Sequence, residues 1–378
     1  MPPVDGIAPH RSHSLLFSDL ILNNLRLGNR LAVAAMTRTS AQDDGLATRR
    51  MADYYAAYAH GGFALVHSEG IYTDEAYSQG YARQPGLAND DQLEAWRPVV
   101  QAVHAGGAVF FAQLMHAGAL SQHNRFRPEP VAPSAVRPKG EQLRIYGGSG
   151  PFAIPAAMSA GDIEEAITGF GAAARRARQA GFDGVELHGG DGYLIDQFLT
   201  PASNGRRDAY GGSLERRLRF AVETIQAVRE AAGADFPIAM RLSQSKVNEP
   251  AHCWQGVSEA ATIFRTVAAA GLDLLHVTSE SAIEPVFDSD ETFAALAARH
   301  ASLPVIANGQ LETPARAQAS LASGAVIVAL GRGALANPDW PRRVYRDQAL
   351  EAFDPLMLLP RATLEAAEDW RRTRRSAS

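Results

Sequence analysis

His188 and Asp191 stand three residues apart, with Tyr193 two further on, in the segment Gly184-Val-Glu-Leu-His-Gly-Gly-Asp-Gly-Tyr-Leu-Ile-Asp-Gln-Phe198. An imidazole can donate a hydrogen bond to a carbonyl oxygen, a carboxylate can accept one or hold a cation, and a phenol can give a proton to a carbanion-like carbon. The segment begins as an apolar run and opens into glycines, so the three groups would emerge together where a strand ends. A second constellation lies further on, in Asn308-Gly309-Gln310 and Gly331-Arg332-Gly333. Small residues there let backbone N–H groups approach an anion, and Arg332 can fork onto it, which makes a phosphate cradle.

The elements that must position these groups recur along the chain. Short apolar, β-branched runs occupy Leu31–Met36, Phe63–Ser68, Ala108–Met115, Gly184–His188, Pro237–Leu242, Leu274–Thr278, Pro304–Ala307 and Ala325–Leu330. Between them lie stretches with helical spacing: Thr48–His60, Asp91–His104, Asp162–Gln179, Leu214–Ala231, Ser258–Ala269 and Glu291–His300. Several helices end at a glycine just before the next strand, as in His60-Gly-Gly-Phe63 and Ala180-Gly-Phe182, the signature of a left-handed C-terminal cap. Parallel strands need covering helices on their crossovers, so the repeated unit predicts an α/β fold, a (β/α)₈ TIM barrel, with an open doubly wound sheet as second choice.

This reading gives a single domain: an N-terminal extension over 1–14, the barrel over 15–345, and a C-terminal helix and basic tail over 346–378. The Pro- and Gly-rich stretch 117–160, after the third strand, is expected to run over the barrel mouth. The arginine-rich end from Trp370 to Ser378 reads as solvated and disordered. In such a barrel the C-terminal strand ends carry chemistry. Residues there include Met36 and Thr37, Glu69 and Gly70, Gln113 and His116, His188 to Tyr193, Arg241, Ser279, Asn308 to Gln310, and Gly331 to Gly333.

Composition narrows the partners. A formal charge of −5 offers no basic field for nucleic acid or an anionic membrane, which favours a small-molecule substrate. Lys139 and Lys246 are the only lysines, so Schiff-base chemistry has few candidates. One cysteine, Cys253, allows no internal disulfide and no cysteine metal cluster, and cytoplasm is the default location. No His-x-His or His-Glu-x-x-His spacing occurs; a convergence of Glu69, His116, His188 and Asp191 is an outside candidate, and no metal is expected. His67, His104 and His276 are expected to pack in or beside the core. Gly331-Arg-Gly-Ala-Leu-Ala336 imitates a dinucleotide fingerprint, but no β run follows to complete a Rossmann unit.

Several segments together resemble the old yellow enzyme family of flavin-dependent ene-reductases. They are Leu16-Phe-Ser-Asp-Leu, Asn29-Arg-Leu-Ala-Val-Ala-Ala-Met-Thr-Arg38, Ala112-Gln-Leu-Met-His-Ala-Gly118, Ala132-Pro-Ser-Ala135, the segment from His188 to Leu199, Ser203 to Arg217, and Ala329-Leu-Gly-Arg-Gly-Ala-Leu-Ala-Asn-Pro338. The resemblance implies one barrel holding FMN noncovalently, reduced by NADH or NADPH, that reduces an activated carbon–carbon double bond. It implies that Ala35, Met36 and Thr37 lie along the flavin, that Gly70 and Gln113 contact its pyrimidine side, and that Arg241 sits by its N1 region. Gly309, Gln310, Gly331 and Arg332 would hold the phosphate. His188 would bind the substrate carbonyl, and Tyr193 would protonate the α carbon.

Two positions depart from the resemblance. Ala35 stands where the family usually has proline, and Asp191 where it usually has His or Asn. An ionised aspartate cannot donate, and beside a developing enolate it repels the charge to be stabilised. Four readings stay open: a protonated Asp191, an Asp191 that holds His188 as a cationic donor, a cationic substrate such as a substituted amine undergoing oxidation or demethylation, and an Asp191 that faces solvent. No aromatic-arginine finger from a neighbouring subunit can be matched, so oligomeric state stays open.

Overall fold

The computed structural model describes residues 13–377. Eight parallel strands close into a barrel: β1 (Leu31–Val33), β2 (Leu65–Tyr72), β3 (Val109–Met115), β4 (Gly184–His188), β5 (Ile238–Ser243), β6 (Leu274–Thr278), β7 (Val305–Asn308) and β8 (Ile327–Leu330). Each pairs with its sequence neighbours, and β8 pairs with β1 through Val328↔Leu31 and Leu330↔Val33. All eight predicted runs are strands, and the crossovers are helical as expected. Helices at Arg49–Gly61 and Ala160–Ala180 end on Gly62 and Gly181, both at φ of 99°, a backbone conformation that glycine adopts without a Cβ penalty.

The core has two main layers. Between strands and helices lies a continuous apolar annulus that includes Leu31, Val66, Phe110, Val185, Ile238 and Leu275. Inside the barrel, toward the N-terminal strand ends, Ala32, Leu65, Phe111, Ala239, Ile306 and Ile327 meet Leu22 and Leu27. Those two leucines belong to an antiparallel hairpin, Leu20–Leu22 with Leu25–Leu27, which plugs the end of the barrel away from the mouth. Burying these side chains offsets chain entropy at roughly 25 cal/mol per Å² of apolar surface.

Four details differ from the expectation. β1 stops at Val33 rather than Met36, because the backbone N–H groups of Arg38 and Thr39 both turn to donate to Glu69 Oε2 at 2.8 Å, lifting Ala34–Thr37 out of the sheet. β2 runs on past Ser68 to Tyr72 after a register irregularity between His67 and Gly70, so Gly70 lies within the strand. An unforeseen helix, Pro314–Ala322, starts behind a Thr313 cap with proline in its first turn; its apolar face is mostly alanine and so weak in periodicity. The arginine-rich end is not disordered: it is helical over Leu364–Ala377, and Arg371 donates to the Leu335 carbonyl.

The 117–160 stretch carries two short turns of 3₁₀ helix and a two-residue parallel pairing of Val131–Ala132 with Ala156–Ala157. Tyr146 within it reaches the mouth, its ring 4.6 Å from that of Tyr81. Nearly all of the expected 1–14 extension lies outside the described residues. Among the described residues no helix is long and apolar enough to cross a membrane.

Candidate active site

The loop after β4 is held at several points. Gly189 N–H donates to the Arg241 carbonyl at 2.8 Å, Asp191 N–H to Ser243 Oγ at 2.7 Å, and Gly192 N–H to Asp196 Oδ2 at 2.7 Å. Asp196 is itself fixed by a buried ion pair with Lys246, 2.6 Å away. The loop thus bends sharply, with Asp191 in the left-handed region at φ of 59°, where aspartate is one of the few tolerated side chains. Its carboxylate faces inward: Oδ2 lies 3.6 Å from His188 Nε2 and 3.5 Å from Arg241 Nη2. Asp191 is therefore not turned to solvent, and it touches both groups that could stabilise negative charge in the mouth.

Tyr193 is buried beside them, its ring 4.8 Å from the His188 ring and its hydroxyl 2.6 Å from the Tyr81 hydroxyl. Burial raises the phenols of both Tyr193 and Tyr81, so both keep their protons at neutral pH. Burial also pushes His188 down to about 4 against the pull of Asp191, so the imidazole is neutral and donates from one nitrogen only. That weighs against the reading in which Asp191 keeps His188 cationic. His188 Nδ1 is buried without a hydrogen-bond partner.

Arg241, on β5, donates from Nη1 to the Ala35 carbonyl at 3.1 Å and from Nε to Thr278 Oγ1 at 3.2 Å. This ties the loop after β1, with Met36 and Thr37, to the mouth. Gly70 and Gln113 are register partners on β2 and β3, and a Cβ on Gly70 would lie 3.5 Å from Gln113 Oε1 and 2.7 Å from Met115 Sδ. On the opposite side of the barrel, Gly309, Gln310, Gly331 and Arg332 line one cavity of about 390 Å³ together with Ser279 and Asn308. A Cβ on Gly309, at φ of 141°, would lie 2.2 Å from the Ser279 carbonyl oxygen, so only glycine closes this turn. Arg332 has no ion-pair partner among the described residues. Every predicted site residue therefore sits on the C-terminal side of the barrel, in two groups joined through Arg241, Ala35 and Met36, whose Sδ is 3.7 Å from where a Gly331 Cβ would be.

Two tyrosines of the mouth were not foreseen. Tyr81, 112 residues upstream, meets Tyr193 hydroxyl to hydroxyl, and Tyr146 of the excursion packs its ring at a tilt against Tyr81; nothing local in either segment marks them. Burial pushes the Tyr146 phenol up to about 12. The imagined convergence of Glu69, His116, His188 and Asp191 does not form. Glu69 serves the loop after β1, and burial lifts its carboxyl to about 7 against the N–H donors of Arg38 and Thr39. Among the described residues, the group whose ligand atoms lie close together is instead His67, Glu186 and His276, inside the barrel. His67 and His276 are core residues as expected, whereas His104 pairs with Asp183 near the surface.

A parallel eight-stranded barrel with polar side chains at its mouth and an anion-sized cavity after β7 and β8 is the frame of an enzyme that holds a phosphorylated cofactor. More narrowly, the chain belongs to the NADH:flavin oxidoreductase / NADH oxidase family, matched over residues 15–351. It is 36% identical over 344 residues to an NADH oxidase of Thermoanaerobacter brockii, covering 87% of this chain and 50% of that protein. The chain thus spans about half the length of that relative, and 61% of the 12-oxophytodienoate reductase 7 of Oryza sativa subsp. japonica, to which it is 40% identical over 247 residues, 64% of this chain. With a chanoclavine-I aldehyde reductase of Penicillium roqueforti the match is 35% over 349 residues, 90% of this chain and 91% of the other.

Among solved structures, the old yellow enzyme homologue from Zymomonas mobilis superposes with a TM-score of 0.84 at 30% identity over 94% of this chain and 99% of that one. Morphinone reductase in complex with tetrahydroNAD gives 0.80 at 32% identity over 90% and 93%. The chain thus belongs with the old yellow enzyme-type flavoproteins, which makes FMN the cofactor to be accommodated. The donor set fits that cofactor: a glycine-closed cavity with an unpaired arginine for a phosphate, and Thr37, Gln113 and Arg241 for a polar ring edge.

Proposed function

We propose that this chain reduces the activated carbon–carbon double bond of an α,β-unsaturated carbonyl compound at the expense of NADH or NADPH. FMN, when bound, would supply the hydride-transfer chemistry between the nicotinamide and the β carbon of the alkene. Thr37, Gly70, Gln113 and Arg241 would hold its ring, and Gly309, Gln310, Gly331 and Arg332 its phosphate. His188 binds the substrate carbonyl as a neutral hydrogen-bond donor, which draws charge away from the alkene. Tyr193 then gives its hydroxyl proton to the α carbon, and Tyr81 holds that hydroxyl in place. Tyr146 and Phe152 cover the site and keep water from competing for the developing charge.

The observation that carries this reading is the His188–Tyr193–Tyr81 arrangement: one neutral donor and one protonated acid side by side in an apolar pocket. A second reading, oxidation of a cationic amine steered by Asp191, has the inward carboxylate in its favour. Arg241 already answers that charge from 3.5 Å, so a cationic substrate is not required, and ene-reduction is preferred. The test is colour. Purified protein should be yellow, release FMN on denaturation, bleach under nitrogen with NADH or NADPH, and recover on adding cyclohexenone or a maleimide. Bleaching by a substituted amine, with no recovery on enones, would select the second reading.

A further inference from the structure

Beneath the mouth lies a polar cluster that the proposed reaction does not use. Glu186 is wholly buried on β4, in register with Gln113 on β3. Its Oε1 accepts from Gln113 Nε2 at 2.8 Å, and its Oε2 accepts from His276 Nδ1 at 2.6 Å. His67 Nε2 faces the same Oε2 from 3.3 Å, close enough for an ion pair but without the alignment of a formed hydrogen bond. The other nitrogen of His67, Nδ1, is 2.9 Å from the Val33 carbonyl oxygen.

These contacts fix the protons. A carbonyl oxygen can only accept, so His67 Nδ1 carries a hydrogen. If Nε2 were then bare, its lone pair would confront a carboxylate oxygen in a dry interior, an arrangement that costs the full desolvation of both. One proton must therefore sit on Nε2 or on Oε2. A metal ion would satisfy His67 too, but it suits the rest poorly. His276 Nδ1 and Glu186 Oε2 are at hydrogen-bond separation, closer than two ligands stand around one ion with bonds of about 2 Å, and Oε1 is already occupied by Gln113. The two imidazoles hold the Glu186 carboxyl well below its usual range although burial alone would raise it.

The consequence reaches Gln113. An amide has a donor end and an acceptor end, and a flipped Gln113 would set its oxygen against Oε1 of the carboxylate. The anionic form of Glu186 therefore leaves Oε1 of Gln113 free on the side of Gly70, ready to accept from a ring N–H. We propose that Glu186 is the positioning residue for the Gln113 amide, fixing its oxygen toward the cofactor, and that it does so as one half of a His67–Glu186 pair sharing a single buried proton. This rests on the reading that Gln113 faces the pyrimidine edge of FMN.

Two measurements separate the parts. ¹⁵N NMR of histidine-labelled holoprotein, with the His67 signals assigned through His67→Gln, and infrared spectra reading carboxyl protonation address the proton without reference to flavin chemistry. The expected result is a His67 ring protonated on both nitrogens, or a protonated Glu186. A His67 ring with bare Nε2 beside an ionised Glu186, or a stoichiometric metal by elemental analysis, overturns the pair. FMN titration of apoprotein addresses positioning: Gln113→Leu and Glu186→Leu should each raise the dissociation constant about tenfold, the double variant no further than Gln113→Leu alone. Glu186→Gln keeps the shape but offers one oxygen where the carboxylate offers two, so its amide can donate to a flipped Gln113 and binding should stay weakened about threefold or more. Losses that multiply in the double variant, or wild-type binding in Glu186→Gln, contradict it. Protein that binds no FMN in any form would instead defeat the cofactor reading and leave the proton result standing.

Discussion

The rim after β7 and β8 and the rim after β4 face each other across one barrel mouth and are built in opposite ways. The first is made of backbone: Gly309 at φ of 141°, Gln310 at φ of 51°, and an exposed Arg332 around an open cavity. The second is made of buried side chains, with His188, Tyr193 and Tyr81 held in a dry pocket and Asp191 wedged between His188 and Arg241. A turn of this kind gives tolerant recognition of a charged group from many weak donors. A buried network gives sharp control of one proton and one carbonyl, and one wrong group in it is costly.

Substitutions should expose this contrast. The largest effect is expected for Tyr193→Phe, which removes the acid without disturbing the ring: oxidation of the reduced protein by cyclohexenone should fall by about 10²–10⁴ while FMN binding is unchanged. Asp191→Asn comes next, because it replaces an anion by a donor within reach of the substrate oxygen. Enone turnover should rise about 10–100-fold, and total loss of activity would show that the carboxylate takes part in the reaction. On the other rim, Arg332→Ala should weaken FMN about tenfold without changing the rate of the loaded enzyme, since backbone donors remain.

The pH behaviour sharpens the same comparison. With His188 at about 4 and the Tyr193 phenol raised, neither titrates near neutrality, so the oxidative rate measured by stopped flow should be flat from about pH 6 to about pH 9. The smallest effect lies far from both rims. His104 is raised by its hydrogen bond to Asp183, so its stabilising contribution is complete below the unfolded value and disappears as pH rises through the folded one. His104→Gln should therefore lower Tm slightly at about pH 5.5 and by less at about pH 8.5.

Much of the barrel was legible because its signals are local. Apolar runs, capping glycines and the two glycine turns at Asn308–Gln310 and Gly331–Gly333 each declare themselves within a few residues, and the turns that line the cavity after β7 and β8 could be named from them. The β4 rim was legible only in part. His188, Asp191 and Tyr193 are near neighbours in sequence, but Tyr81, Tyr146 and the Asp191–Arg241 contact depend on how distant loops fold back, and no periodicity records that. The β1 loop and the β2 bulge were missed for a related reason: Glu69 redirects two backbone N–H groups, a tertiary contact that overrides strand propensity.

The central claim is that a neutral His188 and a protonated Tyr193 act together on a substrate bound over the flavin. Single-turnover oxidation of NADH-reduced protein by cyclohexenone in D₂O, wild type beside Tyr193→Phe, tests it most directly. The account predicts rapid return of the yellow colour, one solvent deuterium at the α carbon, and a slow reaction in the variant. Reduced protein that ignores the enone, or a Tyr193→Phe variant as fast as wild type, would contradict it.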